Sequence, residues 1–470
     1  MRSNDLKGKS ARGAMKLGIG TGAERVLRLI RYMILTRILA ADQFGLIAII
    51  LVLVNLFEAF TEVGVKQSII QNKRGADPEY LNVAWWFQAL RGLGLFAVAA
   101  VAAPWISSLY DKPQLARLIQ VASLAIVCRG FISPRAPVLE REYRFGRVVL
   151  LIQGSAVLGA IITIGLALIT RNVWAMVVGY VAEQGIVCLL SYVLVPFLPR
   201  FGTDKKCFRE LMKFARGMFG LPILTVVAGG APVFVLGKLV TTEQLGMYYL
   251  AGMLPNLAVT LFTKVIQPVL LPGFSKMQDD KDSVRRALLQ VTRGLAIFCV
   301  PFTALVASCA SGMLLVVYGP QFRAVAVPCA VLSLLISVRT GGIILGTVYV
   351  AVGRPHLLRR FVALRAAMIV ALIYPAVVYH DLVGAAVATI LSSLAALSLL
   401  VFEGRKVIDL RLGSYVRSYV PGLLLALPII VTVGLLRLFG IDAPVSVLIT
   451  GAFVFIVTLA AGVFFLNHSR

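Results

Sequence analysis

Ionisable and amide side chains interrupt the long apolar segments of this chain. A charge that faces lipid at the centre of a bilayer costs about 2.5–3.5 kcal/mol on the insertion scale, so these side chains must face a protein interior or a water-filled cavity. The arginines that are candidates for a binding site are Arg25, Arg28, Arg91, Arg129 and Arg339. The acidic and amide side chains in comparable positions are Asn55, Glu58, Glu62, Glu183 and Asn256.

The arginines indicate a cationic cavity, and the carboxylates are candidates for coupling to protons or sodium ions. Guanidinium groups hold phosphate oxygens in a bidentate geometry, so the cavity suits a large anion or a pyrophosphate-bearing substrate. Structural interpretations stay open beside this one. Arg25 and Arg28 could extend to lipid headgroups from the rim of a span. Glu58 or Glu62 could pair with an arginine and link two helices, and Arg365, near a basic loop, could serve topology.

Membrane-spanning helices are the elements that must position these side chains. The chain has 470 residues, 59% hydrophobic and 14% charged, with a mean hydropathy of +0.90. Soluble domains carry roughly 25% charged residues. The apolar runs at 221–236 and 445–466 lack the alternation of membrane β-strands. Since one span needs about 20 apolar residues, the sequence predicts an all-α polytopic membrane protein with about fourteen transmembrane helices.

Loop charges alternate along the chain. The formal net charge is +25, and nearly all Lys and Arg lie in every second connection, the pattern that marks cytoplasmic loops. This placement predicts that both termini are cytoplasmic, that residues 1–16 are a retained tail, and that nucleic acid is not a partner. The predicted spans are 17–39, 44–64, 81–104, 115–134, 148–169, 173–195, 215–237, 245–270, 290–316, 324–351, 361–379, 382–402, 418–437 and 445–466.

An internal repeat organises these spans. Residues 37–46 and 238–247 align at an offset of 201 through a basic residue, an acid-Gln-apolar-Gly turn and the start of an apolar helix. The same offset aligns Asn55 with Asn256. Parallel repeats about an axis along the membrane normal generate two lobes with a cavity between them and alternating access.

The repeat predicts three parts of the chain. We expect six-helix lobes at 1–200 and 201–409, related by a pseudo-twofold axis along the membrane normal, and an additional helix pair at 410–470. A fainter echo aligns the segments that precede the spans of Arg129 and Arg339.

Residue types for covalent chemistry are not arranged in a site. The six Cys lack a CxxC spacing and the three His lie far apart, so neither a thiol centre nor a zinc site is predicted. The GxxxxGK[ST] pattern of nucleotide-binding loops does not occur. We therefore expect a protein that is not an enzyme and has no metal or organic cofactor, with proton or sodium coupling as the remaining option.

Four segments resemble the polysaccharide-transporter branch of the multidrug/oligosaccharidyl-lipid/polysaccharide exporter superfamily. They are 35–48 (LTRILAADQFGLIA), 61–73 (TEVGVKQSIIQNK), 139–147 (LEREYRFGR) and 236–251 (LGKLVTTEQLGMYYLA). The resemblance implies a flippase that moves an undecaprenyl-pyrophosphate-linked oligosaccharide across a bacterial inner membrane for exopolysaccharide, capsule or lipopolysaccharide synthesis. Membrane lipids, a polysaccharide polymerase and glycosyltransferases are the partners it implies.

One segment departs from the family pattern. Where these proteins often carry an Asn…Asp pair in the seventh span, residues 229–237 read GGAPVFVLG. This puts an acidic site in the second lobe in doubt and suggests a Gly/Pro-hinged helix.

Three alternatives to a polysaccharide flippase stay open. A drug or cation antiporter of the same superfamily should show an acidic cavity, whereas a peptidoglycan-precursor flippase shares the cationic one. A membrane glycan polymerase or ligase should carry a long external loop with catalytic Arg or His, and none of the predicted loops is long enough.

Overall fold

The computed structural model describes residues 22–60, 64–142, 144–200, 204–218, 220–440 and 443–468. These residues form helices joined by turns and short connections, with no strand among them, which confirms the predicted all-α fold. Helix α1 covers 22–38, within the predicted first span. The predicted tail at 1–16 and the candidate Glu62 lie outside the described residues.

The remaining helices overlap the predicted spans, except that α3, α6 and α17 lie in predicted connections. They are α2 Ala41–Phe60, α3 Val65–Gln71, α4 Pro78–Leu109, α5 Gln114–Gly130, α6 Ala136–Arg141, α7 Phe145–Thr170, α8 Val173–Leu194, α9 Lys205–Met218, α10 Leu221–Leu239, α11 Thr242–Ser275, α12 Lys281–Ser308, α13 Ala310–Val317, α14 Ala326–Ser333, α15 Leu335–Ala351, α16 His356–Ile408, α17 Leu412–Arg417, α18 Val420–Leu438 and α19 Pro444–His468. A 3-10 turn at Pro320–Val325 precedes α14.

Eleven segments of the described chain are long and apolar enough to cross a membrane. One of them is the 53-residue α16, whose backbone leaves the helical region at His380 and Asp381, where a φ of 46° places Asp381 in the left-handed region. This break coincides with the predicted connection between two spans. Helix α5, with 17 residues, is not among these eleven segments. The count of fourteen stays a prediction.

Contacts divide the chain into two compact units, Met1–Glu243 and Gln244–Arg470. The first unit includes α10, which packs along α2. Gly230 makes this packing close, since a Cβ there would lie 2.5 Å from Val52 Cγ1. The contact boundary thus falls after α10, whereas the repeat places a lobe boundary at residue 200. Contacts describe packing and the repeat describes chain order, so the lobe assignment stays a prediction.

The turns that open the two repeat copies touch each other within the first unit. Helices α2 and α11 begin at Ala41 and Thr242, which keep the 201-residue offset. A Cβ on Gly45 would lie 2.0 Å from the Thr242 carbonyl oxygen, so only glycine fits at this contact. The two helices therefore begin at positions that the predicted repeat aligns.

In the second unit, α18 packs directly on α12. A Cβ on Gly422 would lie 2.3 Å from the carbonyl oxygen of Ala296, so the two backbones meet at this point. The segment predicted as an additional helix pair, 410–470, thus belongs to the second unit by contact.

A carboxylate cluster around Arg74 ties the amphipathic helix α9 to the α3–α4 connection. The Arg74 guanidinium lies 3.3 Å from an oxygen of Asp77 and 3.4 Å from one of Glu79. It lies 4.0 Å from Asp204 at the start of α9 and 3.9 Å from Glu210 on α9. Since each pair is partly exposed, each stabilises the docking of α9 only weakly.

Cys207 on α9 reports on this docking. Its thiol is buried, donates to Asp204 at 3.3 Å, and has its pKa raised to about 11 by burial. Hydrogen bonds from the Lys206 backbone and from Cys207 hold the pKa of Asp204 below its usual value. A protonated, buried thiol reacts slowly with maleimide.

Replacing Arg74 with alanine should therefore expose Cys207. The loss of these contacts should speed maleimide labelling at pH 8 by a few fold, as measured by mass shift, and a Cys207→Ser variant identifies the labelled site. Lys73→Ala removes an exposed neighbouring charge and should leave the rate unchanged. Equal rates in the two alanine variants would show that Arg74 does not hold α9.

Candidate functional site

A buried carboxylate on α8 joins α1 to α8 in the first unit. The side chain of Glu183 is 6% exposed. One of its oxygens accepts a hydrogen bond from Arg28 Nη2 at 3.0 Å, and the other accepts one from Arg31 Nη1 at 2.9 Å. Arg28 Nε also donates to Glu24 at 2.9 Å. Both oxygens of Glu183 are thus bound to guanidinium groups.

Helix α7 lets this carboxylate sit deep in the unit. A Cβ on Gly159 of α7 would lie 2.7 Å from the Cβ of Glu183, so the acidic side chain packs directly on the α7 backbone. This close approach holds Glu183 in one place and leaves its two oxygens directed at α1.

A second cluster surrounds Arg129 on α5. Its Nε donates to Gln184 Oε1 at 2.9 Å, its Nη2 donates to the Tyr180 hydroxyl at 3.0 Å, and its Nη1 pairs with Glu58 Oε2. The guanidinium also lies over the Tyr180 ring, 5.7 Å from its centroid. The other Glu58 oxygen, Oε1, is buried and has no hydrogen-bond partner among the described residues. Arg129 therefore links α2, α5 and α8 through a neutralised pair.

Arg91 and Arg25 complete the predicted arginines of the first unit. Arg91 is half-buried on α4, beside Gly92. A Cβ on Gly92 would lie 3.2 Å from the Cα of Gly130, the residue after Arg129, so Arg91 and Arg129 flank one helix crossing. Arg25 is half-buried on α1, and its Nε has no hydrogen-bond partner in the described part of the chain.

The second unit places arginines together without an acid. Arg339 Nη1 on α15 donates to Asn256 Oδ1 on α11 at 2.6 Å. Arg365 on α16 lies close enough to Arg339 for mutual repulsion. Both Nε atoms are buried and unpartnered, and no carboxylate of the described residues lies within ion-pair distance of either guanidinium. The positive charge of these two guanidinium groups is therefore not balanced by an acid among the described residues.

The first and second units hold their arginines with opposite electrostatics. In the first, Arg129 on α5 reaches the acid Glu58 on α2, and in the second, Arg339 on α15 reaches the neutral amide Asn256 on α11. Asn55, the repeat equivalent of Asn256, is exposed on α2. An arginine held by an amide can still bind phosphate oxygens, because a neutral partner leaves its charge uncompensated.

Sequence reasoning named most of these residues but not their grouping. It left Arg31, Gln184 and Tyr180 out of the candidate set, although Tyr180 lies one helical turn before Gln184 on the same face. It also treated Arg365 chiefly as a topology signal, whereas the structure places it beside Arg339.

One group of possible metal ligands occurs among the described residues. Ligand atoms of Glu79, Asp204 and Cys207 lie within 4.8 Å of one another. The Arg74 guanidinium lies against the two carboxylates, so their charge is already compensated, and a metal ion would have to displace it.

Known proteins are similar to this chain in sequence and in fold. A family model described as polysaccharide biosynthesis protein matches residues 34–327. The succinoglycan biosynthesis transport protein ExoT of Rhizobium meliloti (strain 1021) is 23% identical over 300 residues, which are 63% of this chain and 60% of that protein. The chain thus spans less than two thirds of that relative.

Two further matches cover a larger share of both this chain and the matched protein. The lipopolysaccharide biosynthesis protein WzxC of Escherichia coli (strain K12) is 23% identical over 364 residues, or 76% of this chain and 73% of that protein. The solved structure of the lipid II flippase MurJ in an inward closed conformation superposes with a TM-score of 0.78 at 13% identity, covering 96% of this chain and 99% of that one. At this identity the structural match shows a shared fold.

Proposed function

Because the chain belongs to the polysaccharide biosynthesis protein family, whose model matches residues 34–327, we propose that it flips a lipid-linked oligosaccharide across a bacterial inner membrane. The oligosaccharide is carried on undecaprenyl pyrophosphate and moves from the cytoplasmic to the periplasmic leaflet for exopolysaccharide, capsule or lipopolysaccharide synthesis. Relatives named for succinoglycan transport and lipopolysaccharide biosynthesis support the polysaccharide. The MurJ-like fold supports a transporter rather than an enzyme.

The observation that carries this proposal is the uncompensated pair of Arg339 and Arg365. Each guanidinium has a buried, unpartnered Nε. A pyrophosphate could accept hydrogen bonds from both groups and relieve their mutual repulsion. Desolvated arginines without an acid are costly in a membrane, so their presence favours a function in binding an anion.

The acidic residues argue against the antiporter alternative. A drug or cation antiporter should keep acids available for a cationic substrate, whereas Glu183 binds two arginines and Glu58 binds one. We propose that the first unit's ion pairs are exchanged during alternating access, so that each arginine released from its acid can meet the substrate.

In this proposal, Glu58 is the residue that couples transport to an ion. Both oxygens of Glu183 are occupied by arginines, but Glu58 keeps a buried oxygen, Oε1, with no partner among the described residues. That oxygen could accept a proton or coordinate a sodium ion. If flipping in inverted vesicles persists after both gradients are collapsed, Glu58 has no coupling role.

Reconstitution tests the flippase proposal. Purified protein is placed in vesicles that carry a fluorescent undecaprenyl-pyrophosphate oligosaccharide, and loss of fluorescence to a membrane-impermeant quencher reports flipping. Arg339→Gln with Arg365→Gln should slow flipping at least about tenfold, because one lost phosphate contact of about 1.5–3 kcal/mol already has that effect. Arg354→Gln with Arg359→Gln removes two exposed arginines and should flip normally. Normal flipping by the first variant would refute the anion site.

A further inference from the structure

A basic cavity lies in the second unit, and neither Arg339 nor Arg365 lines it. It has a volume of about 830 Å³ and lies between α12 and the segment formed by α17 and the start of α18. Its charged lining residues are Arg286, Arg293 and Arg417. Serine hydroxyls and apolar side chains also line it, among them Ser283, Ser414, Ser418, Leu289, Val420 and Pro421. We call it the α12–α17 groove.

Helix geometry explains why this groove exists and why it is basic. Helices α12 and α18 meet at Ala296 and Gly422, and the groove lies on the N-terminal side of that crossing on both helices. Arg286 and Arg293 are seven residues apart on α12, so they share one helix face. Arg417 ends α17 and supplies the charge from the opposite wall.

The groove lies at the level of lipid headgroups. Helix α12 has 28 residues, which at 1.5 Å per residue is longer than a hydrocarbon core of about 30 Å. The part of α12 after Arg293 has no charged residue, and neither does α18 between Val420 and Leu436. The arginines therefore stand where the apolar segments begin, on the side that loop charge predicts to be cytoplasmic.

These arginines have few partners within the protein. Arg286 donates to Ser283 Oγ at 3.2 Å and to the backbone oxygen of Asp282 at 3.4 Å. The nearby Asp280 carboxylate accepts hydrogen bonds from the Ser283 hydroxyl and from the backbone of Ser283 and Asp282, and these bonds hold its pKa below the usual value. Within the described ranges, none of the three groove arginines has a carboxylate within ion-pair distance.

We propose that the α12–α17 groove binds the headgroup phosphate of an anionic phospholipid. Three guanidinium groups match phosphate oxygens, and Ser414 and the largely buried Ser418 add hydroxyl groups. Val420 and Pro421 continue the wall toward the apolar part of α18, where acyl chains would lie. Basic pockets between transmembrane helices on the cytoplasmic side bind such headgroups. A bound lipid would join α12 to α17 across the groove.

Thermal unfolding of the full-length protein in neutral detergent tests this site. Dioleoyl phosphatidylglycerol should raise the melting temperature in a saturable way, and dioleoyl phosphatidylcholine should not. Arg293→Gln with Arg417→Gln should weaken the apparent affinity for phosphatidylglycerol by at least about tenfold, because two of the three groove charges are lost. Arg359→Gln with Arg411→Gln removes two exposed charges on the same predicted side outside the groove and should leave the affinity near that of the wild type.

Two results would overturn the site. An equal loss of affinity in both double variants would show diffuse surface attraction instead of a built groove. Stabilisation by inorganic pyrophosphate that matches phosphatidylglycerol and is lost in the Arg293 and Arg417 variant would assign the groove to a free phosphate instead of a lipid. Because the measurement is binding, neither result bears on the flippase proposal.

Discussion

Replacing Glu183 with glutamine is expected to lower the free energy of unfolding by about 3–5 kcal/mol, because it leaves Arg31 without an acid and leaves Arg28 with Glu24 alone. Arg31 has a side chain only 12% exposed, so water cannot replace the lost charge. Glutamine matches the carboxylate in shape and still packs on Gly159, so the loss isolates the charge. Unfolding followed by intrinsic fluorescence in detergent measures it.

Partner variants separate this electrostatic effect from a packing defect. Glu183→Gln combined with Arg31→Gln should recover part of the lost stability, because the unpaired positive charge of Arg31 is removed together with the acid. Glu140→Gln breaks the exposed pair with Lys66 and should cost less than about 1 kcal/mol. If the double variant is no more stable than Glu183→Gln alone, the ion pair is not what Glu183 contributes.

The helices were predictable because each span needs a long apolar run, and these runs fix where α2, α8 and α19 lie. The break within α16 was also predictable, since His380 and Asp381 are the polar residues between two apolar runs. Local composition was sufficient for these features because lipid imposes the same requirement on every span.

The partners of the buried charges were not predictable. Sequence spacing places Glu58 on one face of α2, but the choice of Arg129 on α5 over Arg28 or Arg91 depends on how three helices rotate against each other. The same holds for α10, whose packing on α2 depends on the close contact at Gly230. Such contacts join residues far apart in the chain, and no periodicity within one helix encodes them.

Arg129 and Arg339 should respond oppositely to the same substitution. Arg129→Gln leaves the Glu58 carboxylate buried and unpaired, so it should cost about 3–5 kcal/mol of stability. Arg339→Gln removes the hydrogen bond to Asn256 Oδ1, a loss of about 0.5–1.5 kcal/mol that is offset by removing a desolvated charge, and the Asn256 amide nitrogen keeps its bond to the Gly252 oxygen. We therefore expect Arg339→Gln to fold like the wild type while polysaccharide export falls at least about tenfold.

Export and stability measured together distinguish the two functions of these arginines. Stability comes from unfolding in detergent, and export comes from surface polysaccharide in cells that depend on the variant, corrected for the amount of protein in the membrane. Glu58→Gln with Arg129→Gln should regain stability, because both charges of the pair are gone. An Arg339→Gln protein that is destabilised as strongly as Arg129→Gln, or that exports normally, would contradict the assignment. The amide at Asn256 would then hold a structural arginine, and the cationic site would have to lie on other residues.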